Sequence, residues 1–198
     1  MANQDAPFGL KPVNRDSNGG QTKLRKYAVA TNYGTALYRG DPVLITGTSV
    51  ADPLDGTILP YVGRAATSGY VTGVIVEVIG SDGILASQTL NEASTPYIPA
   101  STGGFVLVDD DPYSLFEIQT DGTLAVGDVG QTADLIYTHA GSAATGQSGA
   151  ELDTADIATG LMLVIEGVRQ QDRNDLTSAN PVAVVRINQH QKRYLTGV

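Results

Sequence analysis

From Tyr27 onward, turn sequences cut the chain into short pieces, and that spacing favours β structure. Arg39-Gly40-Asp41-Pro42, Asp82-Gly83, Thr102-Gly103-Gly104, Asp111-Pro112 and Asp121-Gly122 each carry a residue with a turn mechanism. Glycine supplies positive φ, and aspartate bonds its own backbone. The runs between them read as strands over residues 26–30, 42–46, 70–79, 95–99, 104–108, 115–119, 135–137, 161–168 and 182–188. Residues 71–79 and 161–165 mix alternation with continuous apolar stretches, which marks them as central strands. Helix is scarce, and residues 150–158 are its best candidate. Residues 140–149, Ala-Gly-Ser-Ala-Ala-Thr-Gly-Gln-Ser-Gly, are small and polar and read as a mobile loop or a contact loop. No repeat of fixed period appears. The expected fold is all-β, with a single sandwich or barrel body over residues 27–198.

Residues 1–26 read differently, as an extended arm. Pro7 and Pro12 fix their own φ and push the residue before each away from helix. Residues 14–21 are polar and include Gly19-Gly20. Phe8, Leu10 and Val13 are the arm's adhesive groups. The arm can fold back on its own domain or lie along a partner.

A chain of 198 residues can bury a substantial core without staples. With no cysteine, it can form no disulfide, zinc–thiolate site or cysteine nucleophile. No stretch approaches the ~18 apolar residues of a membrane helix. The first residues lack the basic and apolar regions of a signal peptide, so a soluble cytosolic product is expected, with no membrane partner. The net charge of −9 argues against direct nucleic-acid binding, which needs a basic face.

The placement of charge adds more than its sum. Between Arg64 and Arg169 there is no lysine or arginine, only acids. The basic residues fall in the two ends: Lys11, Arg15, Lys23, Arg25, Lys26, Arg39 and Arg64, then Arg169, Arg173, Arg186, Lys192 and Arg193. This is either ordinary surface charge or a dipolar molecule. In the second case its basic ends would dock on an acidic partner or on the acidic body of a sister copy.

Signs of catalysis are weak. His139 and His190 are far apart in sequence, and nothing local places a nucleophile and an orienting acid beside either. Residues 146–149 do not form a nucleophile elbow, and no phosphate-binding or dinucleotide loop occurs. Asp109-Asp110-Asp111 offers hard oxygen ligands suited to calcium, but adjacent strand residues point to opposite faces, so a solvated acidic turn is favoured. Arg39-Gly40-Asp41 reads as a β-turn. No enzyme activity, cofactor or metal is expected. A calcium- or carbohydrate-binding module stands as an alternative, and a hydrolase built on a histidine is the weakest reading.

Several segments together resemble the capsid decoration, or cement, proteins of tailed double-stranded DNA bacteriophages. They are Ala6-Pro-Phe-Gly-Leu-Lys-Pro-Val13, Gly40-Asp-Pro-Val43, Gly104-Phe-Val-Leu-Val-Asp-Asp-Asp-Pro112, Phe116-Glu-Ile-Gln119, Gly149-Ala-Glu-Leu-Asp153 and Ile187-Asn-Gln-His-Gln191. The resemblance spans most of the chain. It implies a virion structural protein with a single β-barrel or jelly-roll-like body, made in the host cytoplasm, on the outside of the head, bound to the major capsid protein and bridging its neighbouring subunits. Such a protein is expected to form a homodimer or homotrimer. The contact residues expected on this reading are Phe8, Leu10, Lys11, Val13, Arg15, Lys23, Arg25 and Lys26. Another virion β-module, from a tail, baseplate or fibre base, is the alternative.

Overall fold

The computed structural model describes residues 3–13, 23–79, 95–169 and 174–193. Among them the fold is all-β, and helix is confined to one 3-10 turn at Val126–Asp128. Eleven strands among the described residues divide between two sheets.

The first sheet is a closed five-stranded barrel. Its strands are β2 (Leu24–Val29), β3 (Pro42–Ala51), β4 (Ile58–Arg64), β5 (Gly73–Ile79) and β6 (Gly104–Asp109). They lie in the order β2-β4-β3-β5-β6, with β6 returning to β2. Every pairing is antiparallel except one parallel bridge, Ala28↔Tyr61, which seals the barrel between β2 and β4. Alternation along β2 and β6 sets inside from outside. Tyr27, Val29, Val106 and Val108 fill the interior with Val43, Val62, Ile75 and Val78. Ala28 and Phe105 face outward and pack with Leu59 and Ile79. A bulge between Ile75 and Glu77 bends β5.

The second sheet takes β1 (Lys11–Pro12), β7 (Leu115–Gln119), β8 (Thr132–Ile136), β9 (Glu151–Ala158), β10 (Leu163–Val168) and β11 (Val182–Ile187). Their order is β1-β7-β11-β10-β8-β9. A single parallel bridge, Thr120↔Leu152, joins the end of β7 to β9 and curls the sheet toward closure. Phe116, Ile118, Leu135, Leu152, Met162, Leu163, Ile165, Val185 and Ile187 form its core. Val71 and Val74 from the barrel side share that core, as does Leu10.

Three local expectations are corrected. Residues 150–158 are not helical. Their Ala, Glu and Leu suit a helix in isolation. In the fold, Leu152 faces Leu135 and Ile157 faces Ala133 across the β8–β9 ladder, and that pairing outweighs a weak intrinsic preference. Residues 95–99 contribute only the bridge Leu37↔Ile98, because Pro96 and Pro99 bring no N–H to a ladder. Strand β4 was not anticipated, since Pro60 and Gly63 both argue against a strand. Pro60 is tolerated because β2 meets β4 at one bridge only, leaving little ladder for its missing donor to break.

The expected boundary at residues 26/27 falls inside β2, which is a full barrel strand. Residues 3–13 lie along their own domain. Leu10 is 1% exposed, and Lys11 and Pro12 pair with Glu117 and Phe116. Burying a leucine side chain contributes about 1.5–3 kcal/mol, which helps explain why this segment folds back.

Candidate functional site

The N-terminal segment is tied down along its length. Asn3 Nδ2 donates to the Asp175 carbonyl at 2.8 Å, and Asp175 N donates to Asn3 Oδ1 at 3.0 Å. Ala6 N donates to Gln119 Oε1 at 2.9 Å, and Gln119 Nε2 donates to the Gln4 carbonyl at 2.7 Å. Leu10 N donates to the Gly40 carbonyl at 2.9 Å. A Cβ on Gly9 would lie 2.5 Å from that same oxygen, so only glycine permits the approach.

The turn holding Gly40 is itself anchored. Asp41 is 1% exposed and accepts from Ser148 Oγ at 2.5 Å and from Tyr38 N at 2.8 Å. Burial pushes its carboxyl up to about 6. Residues 140–149 therefore form a contact loop against their own barrel, with Arg39 N donating to Gly146 and Ser148 N to Arg39.

Beside this seam lies a groove of about 620 Å³, within the usual range for a binding site. Phe8, Leu10, Leu24, Ile75 and Val76 supply apolar lining, and Lys11, Arg39 and Arg169 supply cations. Val76 reaches it because the β5 bulge turns the backbone there. Arg169 pairs with Glu117 at 3.4 Å. Arg39 Nη2 donates to the Thr145 carbonyl at 2.7 Å, while its Nε is buried without a partner among the described residues. Lys11 is exposed and has no acceptor among them.

The expected contact residues separate on this frame. Phe8, Leu10 and Lys11 meet at the groove, although Leu10 also belongs to the core. Val13 is half-buried, and its N–H donates to Leu115. Lys23 is exposed. Arg25 lies 3.5 Å from Asp110, and Lys26 bonds Asp52 at 2.5 Å while covering the Phe105 ring. Arg15 lies outside the described residues. The basic ends are thus partly neutralised within the molecule, since Arg186 also pairs with Glu166 and Lys192 with Asp110. Leu24 and Val76 carry no sign of a contact role in the sequence, and Arg39 and Arg169 stand out there only as members of the basic ends. Arg39 sat in what reads simply as a turn, and β5 carries no sign of its bulge.

Of Asp109-Asp110-Asp111, only Asp111 is a solvated turn residue. Asp109 and Asp110 are 1% and 8% exposed. Asp110 accepts from the Tyr27 hydroxyl at 2.7 Å and from Lys192 Nζ, which also donates to Tyr27 at 2.6 Å. Asp109 accepts from Ser114 Oγ at 2.9 Å, and Asp111 caps Tyr113 N at 2.9 Å. Burial raises the Asp109 carboxyl above its ordinary range. With cations already on Asp110, these side chains suit a structural hub better than a calcium site.

Among the described residues, the possible metal ligands that come together are Asp5, His139 and Glu151, with ligand atoms within 4.8 Å of one another. His139 Nδ1 lies 3.0 Å from Glu151, and its Nε2 lies 3.6 Å from Asp5. The ring therefore directs both nitrogens at carboxylates, as an imidazolium clasp does, whereas one metal ion would take only one nitrogen. The hydrogen bond with Glu151 raises the His139 pKa. Thr138 Oγ1 donates to Glu151, so its proton is committed to the carboxylate rather than to the imidazole. His190 is fully buried, and its Nδ1 accepts from Lys192 N at 3.2 Å. Burial lowers its pKa by disfavouring the charged ring.

Comparison with protein-family models, with curated proteins and with solved structures found no match.

Proposed function

We propose that this chain is a virion structural protein that binds the outer surface of a phage major capsid shell and stabilises it by bridging neighbouring subunits. One observation supports this reading above the others. Segments that carry the resemblance, far apart in sequence, pack on one another in space. Gly9 abuts Gly40, and Lys11 and Pro12 pair with Glu117 and Phe116. Three of the resembling segments therefore meet along residues 6–13, beside a groove with an apolar lining and cations. Such a surface suits protein contact, where desolvated apolar groups and rim charges act together. Many copies on one shell would add avidity to modest single contacts.

The test is to add purified protein to capsid shells lacking it, then to sediment and image the particles. Extra density on the outer surface, bridging subunits, is the expected result. Protein that stays in the supernatant at every concentration would sink the reading. Density at the tail or baseplate would favour the alternative virion module.

A further inference from the structure

The groove beside residues 6–13 carries a charge that runs against the rest of the molecule. The chain has 21 acids against 12 lysines and arginines, yet every charged residue lining the groove is a cation: Lys11, Arg39 and Arg169. Arg169 is paired with Glu117 at 3.4 Å. Lys11 and Arg39 have no acidic partner among the described residues. Arg39 gives one hydrogen bond from Nη2 to the Thr145 carbonyl, and its buried Nε gives none, so its charge stands uncompensated beside the groove. Cations gathered in a cleft of an acidic protein focus a field that draws anions.

The walls are apolar and come from three separate segments. Phe8 belongs to the N-terminal segment, Leu24 opens β2, and Val76 sits in the β5 bulge. Each is half-buried, so each keeps apolar surface free for a ligand. The frame around them is formed in advance. Gly40 N donates to the Ile75 carbonyl at 2.7 Å, Ile75 N donates to the Asp41 carbonyl at 3.0 Å, and Leu10 N donates to the Gly40 carbonyl at 2.9 Å. A site held in place before binding loses little entropy when it is filled. A volume of about 620 Å³, a largely apolar lining and a few convergent polar groups are the form of a small-molecule cleft.

We infer that the groove binds a small amphipathic carboxylate, its anionic head at Lys11 and Arg39 and its hydrocarbon chain against Phe8, Leu24 and Val76. A guanidinium fork matches a planar carboxylate, and the Lys11 ammonium adds a point charge. An inorganic anion would leave the apolar walls in water, and a neutral hydrocarbon would leave both cations unanswered. This site goes beyond shell binding. Failure to decorate shells would leave it intact, and failure of the carboxylate to bind would leave shell binding open.

The probe is decanoate, titrated below its micelle concentration into the full chain by isothermal calorimetry. Hexanoate, decan-1-ol and a blocked leucyl-aspartyl-leucine peptide are the comparisons. Decanoate should fill one site per chain. Hexanoate should bind at least about tenfold more weakly, because four buried methylenes are lost. Decan-1-ol should also bind at least about tenfold more weakly, because the charge-assisted hydrogen bonds are lost. Lys11→Glu falls at an exposed position, and near-ultraviolet circular dichroism verifies its fold. It and Arg39→Gln should each weaken decanoate at least about tenfold. Lys23→Glu makes the same charge change at an exposed position outside the groove and should stay within about twofold of wild type. No saturable binding of decanoate, binding indifferent to chain length or to Lys11→Glu, decan-1-ol as tight as decanoate, or the peptide binding where decanoate does not would each overturn the inference.

Discussion

Gly9 and Gly40 meet backbone to backbone, with a φ of +72° at the first and +87° at the second. A Cβ on Gly40 would lie 2.6 Å from the Phe8 carbonyl oxygen, as one on Gly9 would crowd that of Gly40. Gly9→Ala and Gly40→Ala should each cost about 2–4 kcal/mol, combining positive-φ strain with a backbone clash. Urea unfolding measures this. Gly34→Ala, with open space around its Cβ, is the control and should stay within about 0.5 kcal/mol of wild type.

Leu10 joins the N-terminal segment to the core of the second sheet. Leu10→Ala should destabilise by about 2–5 kcal/mol. If residues 3–13 were only an exposed arm, the change would barely move the unfolding midpoint.

Asp110 gathers Tyr27, Lys192 and Arg25 around one buried carboxylate. Asp110→Ala should cost about 1–3 kcal/mol, largely because the Tyr27 hydroxyl loses its acceptor. Lys192→Ala should cost less, since its side chain is 32% exposed and solvent screens the pair. A double-mutant cycle of Tyr27→Phe with Asp110→Ala should show coupling.

The two histidines should titrate on opposite sides of 6.5, which proton NMR can follow ring by ring. His139 is raised, chiefly by its hydrogen bond to Glu151. Its contribution to stability is complete below the unfolded value and fades as pH rises through the folded one. His190 is lowered, chiefly by burial. Its contribution is present above the unfolded value and is lost as pH falls through the folded one. Glu151→Gln should bring His139 back toward 6.5 and leave His190 unchanged.

Asp41 adds an acid-side signature. Its carboxyl, at about 6 when folded, favours the protonated form in the folded state. The associated stability is greatest below the unfolded value of 3.8 and declines as pH rises to about 6. Asp41→Asn should flatten this part of the stability curve, as read by urea titrations across that window.

The sequence by itself determined that this chain is β-built. Turn residues recur too often for long helices, and side chains between them alternate well enough to mark β2, β6, β7 and β11. Only the tertiary structure decided which marginal segments became strands. Residues 151–158 needed β8 beside them, and residues 58–64 needed a neighbour that tolerates Pro60. Tertiary contact also moved Leu10 from an expected arm into a core, and it joined Asp110 to Lys192 across 82 positions. Alternation and turn chemistry are local and survive in one dimension. Strand pairing, burial and charge neutralisation depend on partners far along the chain, and their energies exist only once those partners meet.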